Sequence, residues 1–225
     1  EGFTDGDGLK ISKAVRQAVL AGKEVVFYKA GRTPAGKDAT SGHTASLAGD
    51  YMVCESCVRQ AGAIVARTFT EFQELFLLAE RLGTKKINGN RLSAVSGAGF
   101  EAVGMADSIQ SDDYQIRLAS FSRSTRDDID RILRNKKLES LVSIGNPLDI
   151  NPAADDETHA AIAAALLKDE GVDAVIMGLD PLSPAMHTLS DTLVEEYSMH
   201  ADKGIVPLLT QVAAQTDKPI IGVVD

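Results

Sequence analysis

The stretch 90–109, NRLSAVSGAGFEAVGMADSI, holds the parts of a strand–turn–helix unit in consecutive order. Leu92–Val95 is a short apolar run typical of a strand, and the glycine-rich segment Ser96–Gly99 follows it as a tight turn. Apolar residues then recur at helical spacing up to Ile109. Strand and helix patterns alternate in this way through the whole chain, which predicts an α/β fold with mainly parallel sheets flanked by helices.

Two further apolar runs support parallel pairing in the second half. Val172–Met177 and Pro219–Val224 are nearly continuous in apolar residues, as expected for strands that are buried on both faces. Gln115–Ala119 alternates like another strand. The helices between these strands are predicted to open at Ser124 with Asp127, and at the acidic run 155–157, which complements a helix dipole.

The first half shows the same alternation in shorter elements. The predicted order is a helix ending at Gly22, a strand at Val25–Lys29, a basic glycine-containing loop over 30–42, a helix that begins just beyond His43, a strand at Ile64–Ala66, and a helix capped by Thr70 with Gln73. The polar, glycine-containing segment Gly83–Asn90 interrupts this alternation, so we expect two domains, 1–83 and 84–225.

Composition excludes several classes of function. The chain has 225 residues with 44% hydrophobic and 24% charged residues, which is ordinary for a globular protein. Its net charge of −9 disfavours nucleic acid and anionic membranes as partners. No apolar run reaches the roughly 18 residues that cross a bilayer, and no cationic, apolar leader opens the chain. Two cysteines fit a reducing compartment, so we expect a cytoplasmic protein.

The candidate reactive residue is His43, which follows a loop rich in glycine and cations. A helix start beside it would offer unpaired N–H groups and partial positive charge to an anion. A histidine there can act as a nucleophile, and a phosphorylated histidine would be stabilised by those donors. From the residues alone, a cap or a solvated loop histidine is the favoured interpretation of this pattern.

Four short segments around His43 form a recognisable pattern: Lys29–Thr33, Gly42-His43-Thr44, Leu47-Ala48-Gly49 and Arg59-Gln60-Ala61-Gly62. Together they resemble the phosphohistidine loop of the succinyl-CoA synthetase α-subunit superfamily, which includes the NDP-forming (ADP-forming) acyl-CoA synthetases. Ala45 stands where glycine is usual in the ADP-forming type.

The resemblance implies a role for each of several residues. His43 would be the phosphohistidine, and Glu1, followed by Gly2, would be a carboxylate that orients it. Residues 90–225 resemble the second, flavodoxin-like ligase domain, whose glycine turn helps to cradle the phosphate, so that both domains would be flavodoxin-like. The phosphate-binding residues implied are Gly42, Thr44, Ala45, Gly97, Ala98 and Gly99.

The resemblance also implies a reaction. Acyl-CoA, NDP and phosphate would interconvert with acid, CoA and NTP, with CoA, ATP/ADP or GTP/GDP and Mg²⁺ needed by the complete enzyme. This chain alone would bind only phosphate or sulfate. No Rossmann-like CoA-binding domain and no ATP-grasp module is recognisable, so we expect an N-terminally truncated piece of an oligomeric enzyme. CoA-binding and ATP-grasp domains and a small carboxylic acid would be its partners.

Two alternatives remain. An ATP-citrate-lyase-like, citryl-CoA-type ligase uses the same phosphohistidine step. A regulatory module of a protein acetyltransferase can carry inactive copies of these domains, although such copies often lack the histidine.

Cys54 and Cys57 lie in a predicted helix and are expected to pack rather than to bind metal. His159, His187 and His200 lack ligand spacing and are expected at the surface, and no metal site is expected.

Overall fold

The computed structural model describes residues 6–44, 50–109, 115–188 and 198–224, with 41–44 described by their backbone only. The chain divides into two compact units, Glu1–Gly83 and Thr84–Asp225. Each unit is an α/β structure in which all paired strands are parallel, as the alternating pattern predicted.

The first unit is built around a short two-stranded sheet, in which Val26–Tyr28 pairs with Ile64–Ala66. Its small core includes Val15, Val58 and Val65, which are buried. Tyr28 also packs edge-on against Phe69, with ring centroids 5.8 Å apart. The elements of the first unit are α1 (Asp7–Leu20), β1 (Val26–Tyr28), α2 (Pro34–Thr44), α3 (Tyr51–Gln60), β2 (Ile64–Ala66) and α4 (Phe69–Leu82).

The predicted loop over 30–42 was wrong, because most of it forms α2. Thr33 opens this helix: its Oγ1 accepts a hydrogen bond from Gly36 N at 3.1 Å, and its carbonyl accepts one from Lys37 N at 2.8 Å. Pro34 occupies the first helical position, where proline is well tolerated. The Thr-Pro pair is therefore a helix start, and the glycines within α2 did not prevent the helix.

The predicted cap of α4 was displaced by two residues. Thr68, and not Thr70, is the N-cap, and its hydroxyl accepts from Glu71 N at 3.0 Å. The Glu71 carboxylate in turn accepts from Arg67 N at 2.6 Å. The two bonds form a variant of the capping box, in which the glutamate returns to the residue before the N-cap and not to the N-cap itself.

The second unit contains a five-stranded sheet whose order is β4-β3-β6-β7, with β5 also paired to β3. Its core is larger than that of the first unit and is centred on side chains such as Ile129, Leu148, Ile162 and Met177, all fully buried. The elements are β3 (Arg91–Ser96), α5 (Gly99–Asp107), β4 (Arg117–Leu118), α6 (Arg123–Asn135), β5 (Leu148–Asp149), α7 (Asp156–Lys168), β6 (Ala174–Gly178), α8 (Ile205–Ala214) and β7 (Ile220–Val223).

The start of α6 also differs slightly from prediction. Ser122 is the N-cap, and its hydroxyl accepts from Thr125 N at 3.2 Å, whereas Ser124 lies inside the first turn. The predicted opening of α7 is confirmed: Asp155 caps that helix through Thr158 N at 2.9 Å.

One edge of β3 is shared by two very short strands. β4 pairs with Arg91 and Leu92, and β5 pairs with Val95 and Ser96. The Asn146 side chain fills the interval between them. Its Oδ1 accepts from Ala94 N at 3.1 Å, and its Nδ2 donates to the carbonyls of Leu92 and Ala119, both at 2.9 Å. The side-chain amide of Asn146 thus makes hydrogen bonds to β3 that a continuous neighbouring strand would otherwise make with its backbone.

At the N-terminal end of β3, an ion pair between Arg91 and Asp173 joins the start of β3 to the start of β6. Asp173 is 6% exposed, and its carboxylate accepts from Arg91 N, Nε and Nη2, each at 2.8 Å. Asp173 N donates to the Arg91 carbonyl at 2.8 Å. Gly89 passes so close to this carboxylate that a side chain there would collide with it.

None of the helices in the described part of the chain has the length and apolarity that crossing a membrane requires.

Candidate functional site

His43 lies in the last turn of α2, one residue before its end. The predicted helix start directly after His43 was wrong, because α3 begins only at Tyr51. The C-terminal end of a helix carries partial negative charge, so α2 gives an anion on His43 no stabilisation from its dipole.

Several of the predicted site residues fall where the structure gives little or no description. Only the backbone of Gly42, His43 and Thr44 is described, and it is helical. Glu1 and Ala45 lie outside the described residues. Their predicted roles, an orienting carboxylate and a phosphate contact, stay predictions.

The glycine turn of the second unit is placed as the sequence predicted, between β3 and the start of α5. Ala98 is the N-cap position of α5, without a side-chain cap of its own. Ser96 Oγ accepts from Ala98 N at 2.9 Å and so holds the turn in shape. Gly97, Ala98 and Gly99 therefore lie at a helix N-terminus, where backbone N–H groups favour an anion.

Two carboxylates also lie at this turn, which the sequence reasoning did not foresee. Ser96 Oγ hydrogen-bonds to the carboxylate of Glu101, in the first turn of α5. Asp149, at the end of β5, approaches Gly99 so closely that a side chain at Gly99 would collide with its Oδ2. Both carboxylates complement the positive end of α5, so any phosphate bound here has to share that end with them.

His159 is buried behind the same turn, so its predicted surface position was wrong. Its side chain is 1% exposed, and Nδ1 lies 3.0 Å from the Asp155 carbonyl. Nε2 is buried, faces Gly97 and has no hydrogen-bond partner among the described residues. Burial lowers the pKa of His159, so the ring is neutral at neutral pH.

His187 is held by a buried carboxylate. Asp156, which is 2% exposed, lies 2.6 Å from His187 Nδ1 and accepts from His187 N at 3.0 Å. The pair fixes the loop after β6 against the start of α7. His200, by contrast, is exposed as predicted.

Cys54 and Cys57 lie in α3, as predicted, and both are free thiols. Cys54 packs against the core of the first unit, while Cys57 is exposed. Burial raises the pKa of Cys54, which keeps this thiol protonated and unreactive. Among the described residues no cluster of three or more His, Cys, Asp or Glu side chains could hold a metal ion.

Comparison with known proteins gives consistent results for both units. Residues 1–79 match the family described as "Succinyl-CoA ligase like flavodoxin domain". The acetate–CoA ligase [ADP-forming] of Methanocaldococcus jannaschii is 35% identical over 150 residues, which cover 67% of this chain and 20% of that protein. The acetate–CoA ligase [ADP-forming] II subunit alpha of Pyrococcus furiosus is 30% identical over 177 residues, covering 78% and 36%.

Among solved structures, the dinucleotide-forming acetyl-coenzyme A synthetase 1 of Ca. Korarchaeum cryptofilum, in complex with phosphate and ADP, is similar over 100% of this chain and 43% of that chain. The TM-score is 0.72 and the sequence identity is 26%. The chain thus spans between about a fifth and two fifths of the length of these relatives.

Proposed function

Because the chain carries a succinyl-CoA ligase-like flavodoxin domain and its homologues are ADP-forming acetate–CoA ligases, we propose that it is part of an NDP-forming acyl-CoA synthetase. The observation that carries the proposal is the match over residues 1–79, because this segment includes His43. The complete enzyme would be an acid–thiol ligase that uses CoA, a nucleoside diphosphate and Mg²⁺ in the cytoplasm. Its CoA-binding and ATP-grasp parts would come from other domains or subunits.

In this proposal His43 relays the phosphoryl group. A neutral imidazole nitrogen attacks the phosphorus of an acyl phosphate, a nitrogen–phosphorus bond forms, and the bond from phosphorus to the carboxylate oxygen breaks to release the acid. Histidine suits this step because its ordinary pKa near 6.5 leaves it neutral in the cytoplasm. The phosphoryl group then passes to the nucleoside diphosphate, and His43 returns to its neutral form.

The position of His43 at the negative end of α2 bears on this relay. A phosphoryl group there would be repelled by the helix dipole, so its stabilising donors have to come from other elements. We assign that role to the backbone around Gly42, Thr44 and Ala45 and to the turn Gly97–Gly99, with Glu1 orienting the imidazole. The carboxylates of Glu101 and Asp149 would help to make binding at the turn weak enough for the phosphoryl group to leave.

Phosphorylation of His43 tests the proposal directly. The full-length protein, incubated with labelled ATP and Mg²⁺, should acquire a phosphoryl group that is labile in acid and stable in base. His43→Asn should abolish labelling, because the nucleophilic nitrogen is gone. His200→Asn, a change at an exposed histidine of the second unit, should label as the wild type does. Undiminished labelling of the His43→Asn variant would assign the relay to another residue.

A further inference from the structure

A cavity in the first unit lies at the carboxyl end of β1 and is lined by residues of α1 and α3. Its volume is about 390 Å³, within the range of cavities that hold small organic ligands. Lys29, the residue directly after β1, also lines it. Ligands of α/β proteins commonly bind outside the carboxyl ends of the strands. We call this space the Lys29 cavity.

The walls of the Lys29 cavity are mainly apolar. Leu9 and Ile11 contribute to them from α1, and Val53 and Val58 contribute from α3. Leu9 is 64% exposed and Val53 is 61% exposed, so aliphatic side chains of two different helices meet water at one cavity. A ligand with a hydrocarbon part would remove this surface from water, which is favourable in proportion to the apolar area that is buried.

A buried cation borders this apolar space. Lys29 is 3% exposed, and its Nζ donates to the Ala30 carbonyl at 3.3 Å, a long hydrogen bond for a charged donor. Among the described residues Lys29 forms no ion pair with a carboxylate. Buried charges are normally paired, because an unpaired ammonium group loses its hydration without compensation.

Asp50 is the other charged residue of the lining, and it does not supply this compensation. It is exposed, and its carboxylate accepts from Val53 N at 3.1 Å as the N-cap of α3. Within the described part of the chain, the ammonium group of Lys29 is thus left without a counter-ion beside a cavity that can admit one.

We propose that the Lys29 cavity binds an organic monocarboxylate. The carboxylate of this ligand pairs with Lys29 Nζ, and its hydrocarbon part lies against the aliphatic side chains of α1 and α3. One ammonium group balances the single charge of a carboxylate. A phosphate group carries more charge and more oxygen atoms than this apolar lining can satisfy. The proposal does not depend on phosphorylation of His43.

Titration calorimetry of the full-length protein with hexanoate tests the proposal. Hexanoate should bind at least about tenfold more tightly than 1-hexanol, which lacks the charge, and than acetate, which lacks the hydrocarbon chain. Equal affinity for 1-hexanol would show that Lys29 takes no part, and equal affinity for acetate would show that the apolar walls take no part. Either result, or failure of hexanoate to bind, would overturn the proposal.

Matched lysine variants locate the carboxylate. Lys29→Met keeps a long side chain and removes the charge, so it should bind hexanoate no more tightly than 1-hexanol. Lys13→Met makes the same change at an exposed position of α1 and should keep the wild-type preference for hexanoate. Circular dichroism checks that both variants are folded. A preference for hexanoate that survives in Lys29→Met, or that is lost equally in Lys13→Met, would refute the pairing.

Alkylation of Cys57 locates the ligand without any substitution. Cys57 lines the Lys29 cavity and is exposed, whereas burial raises the pKa of Cys54 and keeps that thiol protonated. Saturating hexanoate should slow modification of Cys57 by iodoacetamide several-fold, as measured by mass spectrometry of the peptide that contains it. An unchanged rate would place hexanoate elsewhere and contradict the proposal.

One comparison separates this proposal from the relay. His43→Asn should abolish phosphorylation and leave hexanoate affinity unchanged. Loss of hexanoate affinity in His43→Asn would show that the acid binds at the relay site, and the Lys29 cavity would then not be a separate site. Hexanoate binding by a wild-type protein that acquires no phosphoryl label would refute the relay alone.

Discussion

At the scale of single residues, Asp173 is the clearest case of a side chain that holds two elements together. Its hydrogen bonds with Arg91 lower its pKa from 3.8 to about 2. A carboxyl group whose pKa is lower in the folded state stabilises the fold at pH values above its unfolded pKa. That contribution is lost as the pH falls from about 4 through 2.

Substitution of Asp173 should therefore destabilise the second unit in a pH-dependent way. Asp173→Asn should lower the free energy of unfolding by about 1–3 kcal/mol at pH 7, because charged hydrogen bonds to Arg91 are lost. The difference from wild type should shrink below pH 4. Denaturant unfolding at several pH values measures both effects.

Asp217 supplies the control for this substitution. It pairs with Lys86 at 3.0 Å, but both side chains are about 70% exposed, and such pairs contribute little. Asp217→Asn should change the free energy of unfolding by less than 1 kcal/mol. A larger loss in Asp217→Asn than in Asp173→Asn would contradict this account.

The residue scale is also where sequence reasoning was least complete. The burial of His159 could not be foreseen, because α7 is alanine-rich and buried over most of its surface, so it has no polar face to mark an inward histidine. Asp149 reaches the glycine turn only through the three-dimensional fold, whereas Glu101 follows Gly99 by two residues and could have been noted from its place in the first turn of α5. By contrast, the apolar position of Cys54 followed from helical spacing alone.

At the scale of elements, the residue at which each helix begins was predicted well in some cases and poorly in others. The start of α7 was predicted from the acidic run 155–157, although Asp155 was placed in the first turn and is in fact the N-cap. Before α4, however, Thr68 with Glu71 and Thr70 with Gln73 give two overlapping capping signals, and local sequence does not choose between them. The strand at Ile64–Ala66 was predicted with its observed bounds. A short apolar run that directly follows a turn is interpreted most simply as a strand.

The capping box of α4 can be tested with neighbouring threonines. Thr68→Ala should lower the stability of the first unit by about 1 kcal/mol, since it removes the acceptor for Glu71 N. Thr70→Ala, within the exposed first turn, should have almost no effect, because alanine is the better helix former. Thermal unfolding followed by circular dichroism compares the two. A greater loss in Thr70→Ala would show that the helix begins two residues later.

At the scale of the whole chain, the two units have separate cores of unequal size. The core of the second unit includes twenty buried residues, while that of the first includes five around a two-stranded sheet. Small sheets and small cores are marginally stable. The segment after Gly83 is tied to the second unit, since Lys85 Nζ donates to the carbonyls of Ala213 at 2.7 Å and Thr216 at 2.9 Å.

We therefore expect two thermal transitions, with the first unit unfolding at the lower temperature. Thr68→Ala should shift only the lower transition, and Asp173→Asn only the upper one, because each substitution lies within one core unit. Differential scanning calorimetry on the wild type and both variants checks the assignment. A single transition shifted by both substitutions would show instead that the units unfold together.

The amide of Asn146 carries a consequence for the chemical ageing of the protein. Conversion of asparagine to aspartate begins when the backbone nitrogen of the next residue attacks the side-chain amide, and that nitrogen must lose a proton. Pro147 has no such proton, so this route is closed at Asn146. Conversion there would turn the donor that serves Leu92 and Ala119 into an anion facing two carbonyl oxygens. The exposed sequence Asn88-Gly89 has no such protection, so deamidation is expected at Asn88 before it is expected at Asn146, whose side chain joins β3 to Ala119.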